Sequence, residues 1–247
     1  MKIIFLGVGC AVDEREPNTS QLIISKTNLL VDCGYTVPDQ LFAYNDDPEF
    51  LDAVYISHRH ADHYFGLAPL FCRLNDDGRK KAITIICQKG MKTLIEQVIT
   101  LGYANALHKM TYCRFIEIET GKPLQFNEFT LDFAPTIHPV PTLALRITDG
   151  KKVYCYSADG QYTPKSERLY QKADLLVHET FRFDQSSNGH GKVTEVVEMA
   201  KRAGVKKLAL THFRRDTRRK DMKKIKAYLK REFPNSIIPE KGDSIRV

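Results

Sequence analysis

No stretch of this 247-residue chain approaches the roughly 20 apolar residues that a bilayer-crossing helix needs, so no membrane partner is expected. The opening MKIIFLGVGC is too short for a secretory signal and no small-residue cleavage site follows it. A cytoplasmic protein is therefore expected. Internal repeats, low-complexity tracts and long flexible linkers are absent, and a single domain over residues 1–247 is expected. The six cysteines, at positions 10, 33, 72, 87, 113 and 155, contain no C-x-x-C and no tight cluster. Their dispersal argues against a disulfide framework and against thiolate zinc, and their apolar surroundings fit reduced core thiols.

Strand-like runs come first: Lys2–Leu6, Gln21–Ser25, Asn28–Asp32, Ala53–Ser57 and Ile83–Cys87. The helix-compatible segment Leu67–Leu74 lies among them. A helix is predicted over Lys89–Leu101, with Met91, Leu94, Ile95 and Val98 at helical spacing and Gly102 as its stop. A second set of strands follows: Cys113–Ile118, Phe129–Ala134, Leu143–Thr148, Lys152–Ser157, Leu175–His178 and Lys207–Thr211. Helices are predicted over Lys192–Ala203 and, as one piece, near Thr217–Glu232, with a short strand pair closing the chain. The expected class is α/β, a four-layer αββα sandwich in which each half of the chain supplies one sheet.

Histidine is scarce, yet three of the eight fall within the six residues His58–His63 of SHRHADHYFG, just after a strand-like run. H-x-H-x-D-H arises by chance in on the order of one chain in a thousand of this composition. In extended backbone His58 and His60 share a side and can hold one ion. Asp62 and His63 are offset and can serve a second. Two metal ions about 3.5–4 Å apart are a known hydrolytic device. Three more candidates each end a strand-like run: His138 in PTIHPVPT, Asp159 in YSADGQ, whose two oxygens could bridge a pair of ions, and His212 in LALTHF. Imidazole and carboxylate donors suit zinc, with manganese or iron as alternatives.

These residues, with IIFLGVGCAV, EREPNTS, LLVDCG, HETF, NGHGKVTEV and the ending Pro239 to Val247, resemble the ribonuclease Z-like phosphodiesterases of the metallo-β-lactamase superfamily. The resemblance implies that His58, His60 and His138 bind one divalent ion, that Asp62, His63 and His212 bind another, and that Asp159 bridges them. It implies that His190 faces the scissile phosphate and can protonate the leaving oxygen, and that Asp62 also orients or deprotonates water. Glu179, in HETF, is expected either to hold a neighbouring histidine or to serve ordinary strand-end hydrogen bonding. His178 and His108 are read as structural, and Arg59 as pointing into an ion pair. Relatives of this kind are often homodimers.

Members that mature transfer RNA usually carry a long basic arm between the residues matching His138 and Asp159. Here twenty residues intervene, most of them in a hairpin turned at Asp149-Gly150. The expected substrate is accordingly a phosphodiester in a nucleotide, a small cyclic phosphate or a short RNA. Arg214–Arg231 holds ten Lys/Arg against two Asp and carries the whole of the net +7 charge. Arg214 and Arg215, close after His212, are the candidate phosphate contacts, against a solvated amphipathic helix as the plainer alternative. Two other functions compete: a lactone or thioester hydrolase using the same metals, and a nucleic-acid-binding protein that keeps the fold without turnover.

Overall fold

The computed structural model describes residues 1–247. The first sheet is built from β1 (Lys2–Gly7), β2 (Ser20–Ile24), β3 (Leu29–Val31), β4 (Ala53–Ile56), β5 (Ile83–Gln88) and β6 (Cys113–Ile118). The second uses β7 (Leu124–Phe126), β8 (Phe129–Pro135), β9 (Leu143–Thr148), β10 (Val153–Tyr156), β11 (Leu175–Glu179), β12 (Leu208–Thr211) and β13 (Ser236–Ile237). The last strand, β14 (Ser244–Arg246), returns to the first sheet, whose order is β14-β1-β2-β3-β4-β5-β6; the second runs β13-β12-β11-β10-β9-β8-β7. The helices are α1 (Val37–Tyr44), α2 (Ala61–Tyr64), α3 (Leu67–Asp76), α4 (Met91–Gly102), α5 (Ala106–Lys109), α6 (Pro164–Leu169), α7 (Val193–Arg202), α8 (Arg215–Lys220) and α9 (Met222–Glu232). None is long and apolar enough to cross a membrane.

Three buried clusters mark the three interfaces of a four-layer αββα sandwich. Alternation splits β1: Ile4 and Leu6 pack with α1, α3 and α4, while Ile3 and Phe5 face the second sheet. The middle cluster joins the sheets through Tyr55, Phe129, Leu145 and Tyr156 among others. The third sets Leu176, Leu208 and Leu210 against α7 and α9. Strands buried on both faces read as unbroken apolar runs, as in AVYI of β4.

Three expectations need correction. The closing strands do not pair with each other: β13 joins β12, and β14 crosses to the open edge of β1, where Ile245 packs against the middle cluster. The halves of the chain therefore exchange one strand. The final helix is two helices meeting at Asp221, which ends α8 and begins α9. The bend lets Arg218 and Arg219 of α8 reach Asp13, Glu14 and Glu16 while α9 buries Ile225 and Leu229. Gly102 does not stop α4; it is the last helical residue, and Tyr103 caps it. The short elements α1, α2, α5, α6 and β7 carried too little periodicity to be read from sequence.

Strand direction sets up the site. β10, β11 and β12 are mutually parallel, and β8 runs the same way because it is antiparallel to β9, itself antiparallel to β10. The segments leaving β8, β10, β11 and β12 therefore emerge on one edge. The parallel strands β3 and β4 deliver Asp32 and His58 from the facing sheet.

Candidate metal centre

The HRHADH segment leaves β4 as a loop and closes into α2, which carries Asp62 and His63. His138 follows β8, Asp159 follows β10 and His212 follows β12. The fold brings all seven residues together in two groups that share Asp159. In the first, His60 Nδ1 lies 3.2 Å from His58 Nε2 and 3.0 Å from His138 Nε2. Asp159 Oδ2 is 4.0 Å from His58 Nε2. In the second, Asp62 Oδ2 lies 3.2 Å from His63 Nε2 and 3.4 Å from His212 Nε2. Asp159 Oδ2 is 3.5 Å and 3.4 Å from the same two nitrogens.

These separations suit a cation. Ligands about 2.0–2.1 Å from a tetrahedral zinc stand about 3.3 Å from one another. His63 Nε2 is buried without a hydrogen-bond partner although the Asp62 and Asp159 carboxylates stand 3.2 and 3.5 Å away, and Asp159 Oδ1 is likewise buried and unpartnered, as expected of donors to an ion. The donor set, five imidazoles and two carboxylates, is that of zinc, manganese or iron. The residues fit divalent metal.

The electrostatics agree. Burial pushes the His58, His60 and His138 imidazoles down, which keeps them neutral, the ligating form. Burial would also lower His63 and His212, but the carboxylates of Asp62 and Asp159 outweigh it: His63 rises, and His212 is pushed up to about 9. The site thus attracts positive charge at its centre.

A surrounding ring of hydrogen bonds aims the ligands. Asp32 Oδ2 takes His63 Nδ1 at 2.8 Å, the Ser57 hydroxyl at 2.8 Å and the Tyr156 hydroxyl at 2.9 Å. Ser57 Oγ lies 3.0 Å from His58 Nδ1, and the Gly189 carbonyl 2.7 Å from His138 Nδ1. With Nδ1 engaged, Nε2 of His58, His63 and His138 is left with its lone pair toward the site. Asp32, Ser57 and Gly189 carry no metal-ligand spacing, so sequence reasoning missed them. The one available signal was an aspartate closing the apolar strand LLVD ahead of Cys-Gly.

His190 stands beside the second group, its ring stacked on Phe181 at 4.3 Å. Its Nδ1 lies 3.2 Å from Glu179 Oε1, which also accepts the Gly160 and Gly191 amides at 2.9 and 2.8 Å. Burial lowers His190, and Glu179 more than reverses this. His178 is buried, with Nδ1 on the Glu179 carbonyl, and His108 is exposed on α5; neither joins the clusters. Arg59 makes no ion pair, contrary to expectation. It lines a cavity of about 250 Å³ with Gln88 and Pro141 instead. The basic segment is engaged largely within the protein. Arg214 pairs with Asp216, Arg215 donates to the Val12 carbonyl, and Arg218 faces Asp13 and Glu16.

The family described as "Anti-Pycsar protein Apyc1" matches residues 1–232. A probable metallo-hydrolase, YhfI of Bacillus subtilis, is 38% identical over 189 residues, 75% of each chain. Its crystal structure, that of a metallo-β-lactamase fold protein, superposes with a TM-score of 0.84 at 30% identity over 99% of both chains. A ribonuclease Z of Methanosarcina mazei is 25% identical, covering 86% of this chain and 87% of its own. The short form of human tRNase Z shares the fold, with a TM-score of 0.81 at 20% identity over 100% and 99% of the two chains.

Proposed function

Starting from a chain that belongs to the Apyc1 family, within the ribonuclease Z-like metallo-β-lactamase proteins, and is a metal-dependent hydrolase, we propose that it cleaves phosphodiesters in nucleotides, small cyclic phosphates or short RNA. The carrying observation is the convergence of seven side chains, from four strand ends, into two groups that share Asp159, with the Glu179–His190 pair alongside. His58, His60 and His138 would hold one ion, and Asp62, His63 and His212 a second, with Asp159 shared. Zinc is the first candidate for both. Such ions, when bound, bring the pKa of a coordinated water near neutrality and offset phosphate charge.

The chain's own residues supply the rest. Asp62 orients water through its carboxylate, which His63 and His212 keep ionised against burial. His190, fixed by Glu179 Oε1 and the Phe181 ring and with its pKa raised by that carboxylate against burial, delivers a proton to the leaving oxygen. Strands β9 and β10 are joined by a tight turn whose Asp149 side chain accepts the Lys151 and Lys152 amides. No arm projects there, which favours small substrates over transfer RNA.

The test is turnover of bis(p-nitrophenyl) phosphate by metal-loaded protein. His190→Ala is expected to lower kcat by about 10²–10⁴-fold with metal content unchanged. Lactone turnover indifferent to His190→Ala, without phosphodiester cleavage, would support the lactonase alternative. Salt-sensitive RNA binding with no turnover of either would support a binding protein.

A further inference from the structure

A second concave site lies away from the metal centre, between α6 and the β7–β9 side of the second sheet. It has a volume of about 760 Å³, and Arg146, Lys165, Arg168 and Lys172 line it. Elsewhere some of the chain's arginines and lysines are paired, Arg202 with Glu167, Lys206 with Asp174 and Lys201 with Glu232, and others, scattered over the surface, are not. These four form no ion pair, and the one carboxylate in the lining is Asp132, the cross-strand neighbour of Arg146. Arg146 is also fixed in place. Its Nη1 donates to the Leu169 and Gln171 carbonyls at 2.9 and 3.0 Å, and no hydrogen bond occupies its Nη2.

Four cations converging from strand β9, helix α6 and the turn after it, against the single counter-charge of Asp132, repel one another, and a multiply charged anion relieves that repulsion. Guanidinium groups match phosphate oxygens in pairs, and ammonium groups add point charge. The volume falls in the ordinary range of small-molecule sites, about 300–1,000 Å³, and far exceeds what one phosphate fills. Phe133 and Leu169 offer apolar wall for an organic portion. We propose that this cavity binds a polyphosphorylated small molecule of nucleoside di- or triphosphate type, at a site separate from the metal centre. No lining residue belongs to either ligand group. The cavity still adjoins the segments that carry them: Pro135, in its wall, lies three residues before His138, and its carbonyl accepts the Thr163 hydroxyl at 2.8 Å just ahead of α6.

The experiment is calorimetric titration of metal-stripped protein with ATP, tripolyphosphate and adenosine. Removing the metal removes competing phosphate affinity at the other site. ATP and tripolyphosphate are expected to bind one per chain, and adenosine not at all. Arg168→Glu with Lys172→Glu, both exposed, is expected to weaken ATP at least about tenfold at an unchanged melting temperature. Should that pair lower the melting temperature, Lys165→Ala provides the same comparison. No binding of ATP at millimolar concentration, binding unaffected by these substitutions, or adenosine binding as tightly as ATP would each overturn the proposal. None of these outcomes bears on phosphodiester cleavage.

Discussion

Three residues that hold the centre adopt a backbone conformation that side chains disfavour. Asp32 (φ 59°), Ala158 (φ 53°) and His212 (φ 59°) are all left-handed, and each lies just beyond the last residue of its strand or within two of it. Such residues cost of order 1–3 kcal/mol each and persist where the surroundings over-determine them. Asp32 shows how: it accepts Ser57 N–H at 2.8 Å, the Ser57 and Tyr156 hydroxyls and the His63 ring, while fully buried. Asp32→Asn keeps the shape but removes the charge that fixes His63. Metal affinity is expected to fall about 10–100-fold in a chelator competition, with the circular dichroism spectrum unchanged. Wild-type affinity in that variant would mean that Asp32 serves the fold alone. Four of the seven clustered residues, His58, His60, Asp62 and His63, were legible at this scale because their spacing on a short loop is a local property. The partner of each imidazole's far nitrogen was not, since it comes from another strand.

Elements meet at the centre with little room to spare. A Cβ on Gly34 would stand 2.0 Å from the Asp62 carbonyl oxygen, so the Asp32–Gly34 segment can pass beneath α2 only without a side chain. Gly34→Ala is expected to destabilise by at least about 1–3 kcal/mol in urea unfolding and to release metal, because α2 must shift to accept the methyl. A wild-type midpoint would refute this close packing. At the far end of the second sheet, Asp174 ties the start of β10 to the approach to β12. It accepts Val153 N–H at 2.8 Å and pairs with Lys206 at 2.8 Å and Lys152 at 3.6 Å. Burial pushes its carboxyl up, but these partners outweigh burial and hold it below the usual carboxylate range. A depressed folded-state pKa gives stability that is present above the unfolded value, about 3.9, and is lost as pH falls below it. Asp174→Asn should therefore be less stable than wild type at pH 7, with the gap narrowing from about pH 4 downward in thermal unfolding. A gap independent of pH would assign the effect to packing.

At the scale of the whole molecule, the centre is a clasp between the sheets. Asp32, His58 and the residues of α2 come from the first sheet's side, and His138, Asp159 and His212 from the second's. A metal bound only by the folded chain adds stability by mass action, about 2.7 kcal/mol at one hundred times its dissociation constant. For a chain of this size that is a shift of about 5–11 °C. Calorimetry is expected to show chelator lowering the melting temperature by that order and added zinc restoring it. A melting temperature indifferent to both would mean that the clasp holds without ions.

What the sequence determined by itself is what short-range chemistry encodes: most strands, the helices α3, α4 and α7, the two-sheet class, and the histidines and aspartates that become the centre. Apolar alternation and ligand spacing act over a few residues and are written in order along the chain. Three matters were left to the tertiary structure. It sent β14 across to the first sheet, divided the last helix at Asp221, and turned Arg218 and Arg219 onto Asp13, Glu14 and Glu16. Each depends on what stands opposite in space, an open strand edge or an acidic loop some two hundred residues away. Burial and charge pairing act on neighbours in space, and the linear order of residues does not name those neighbours.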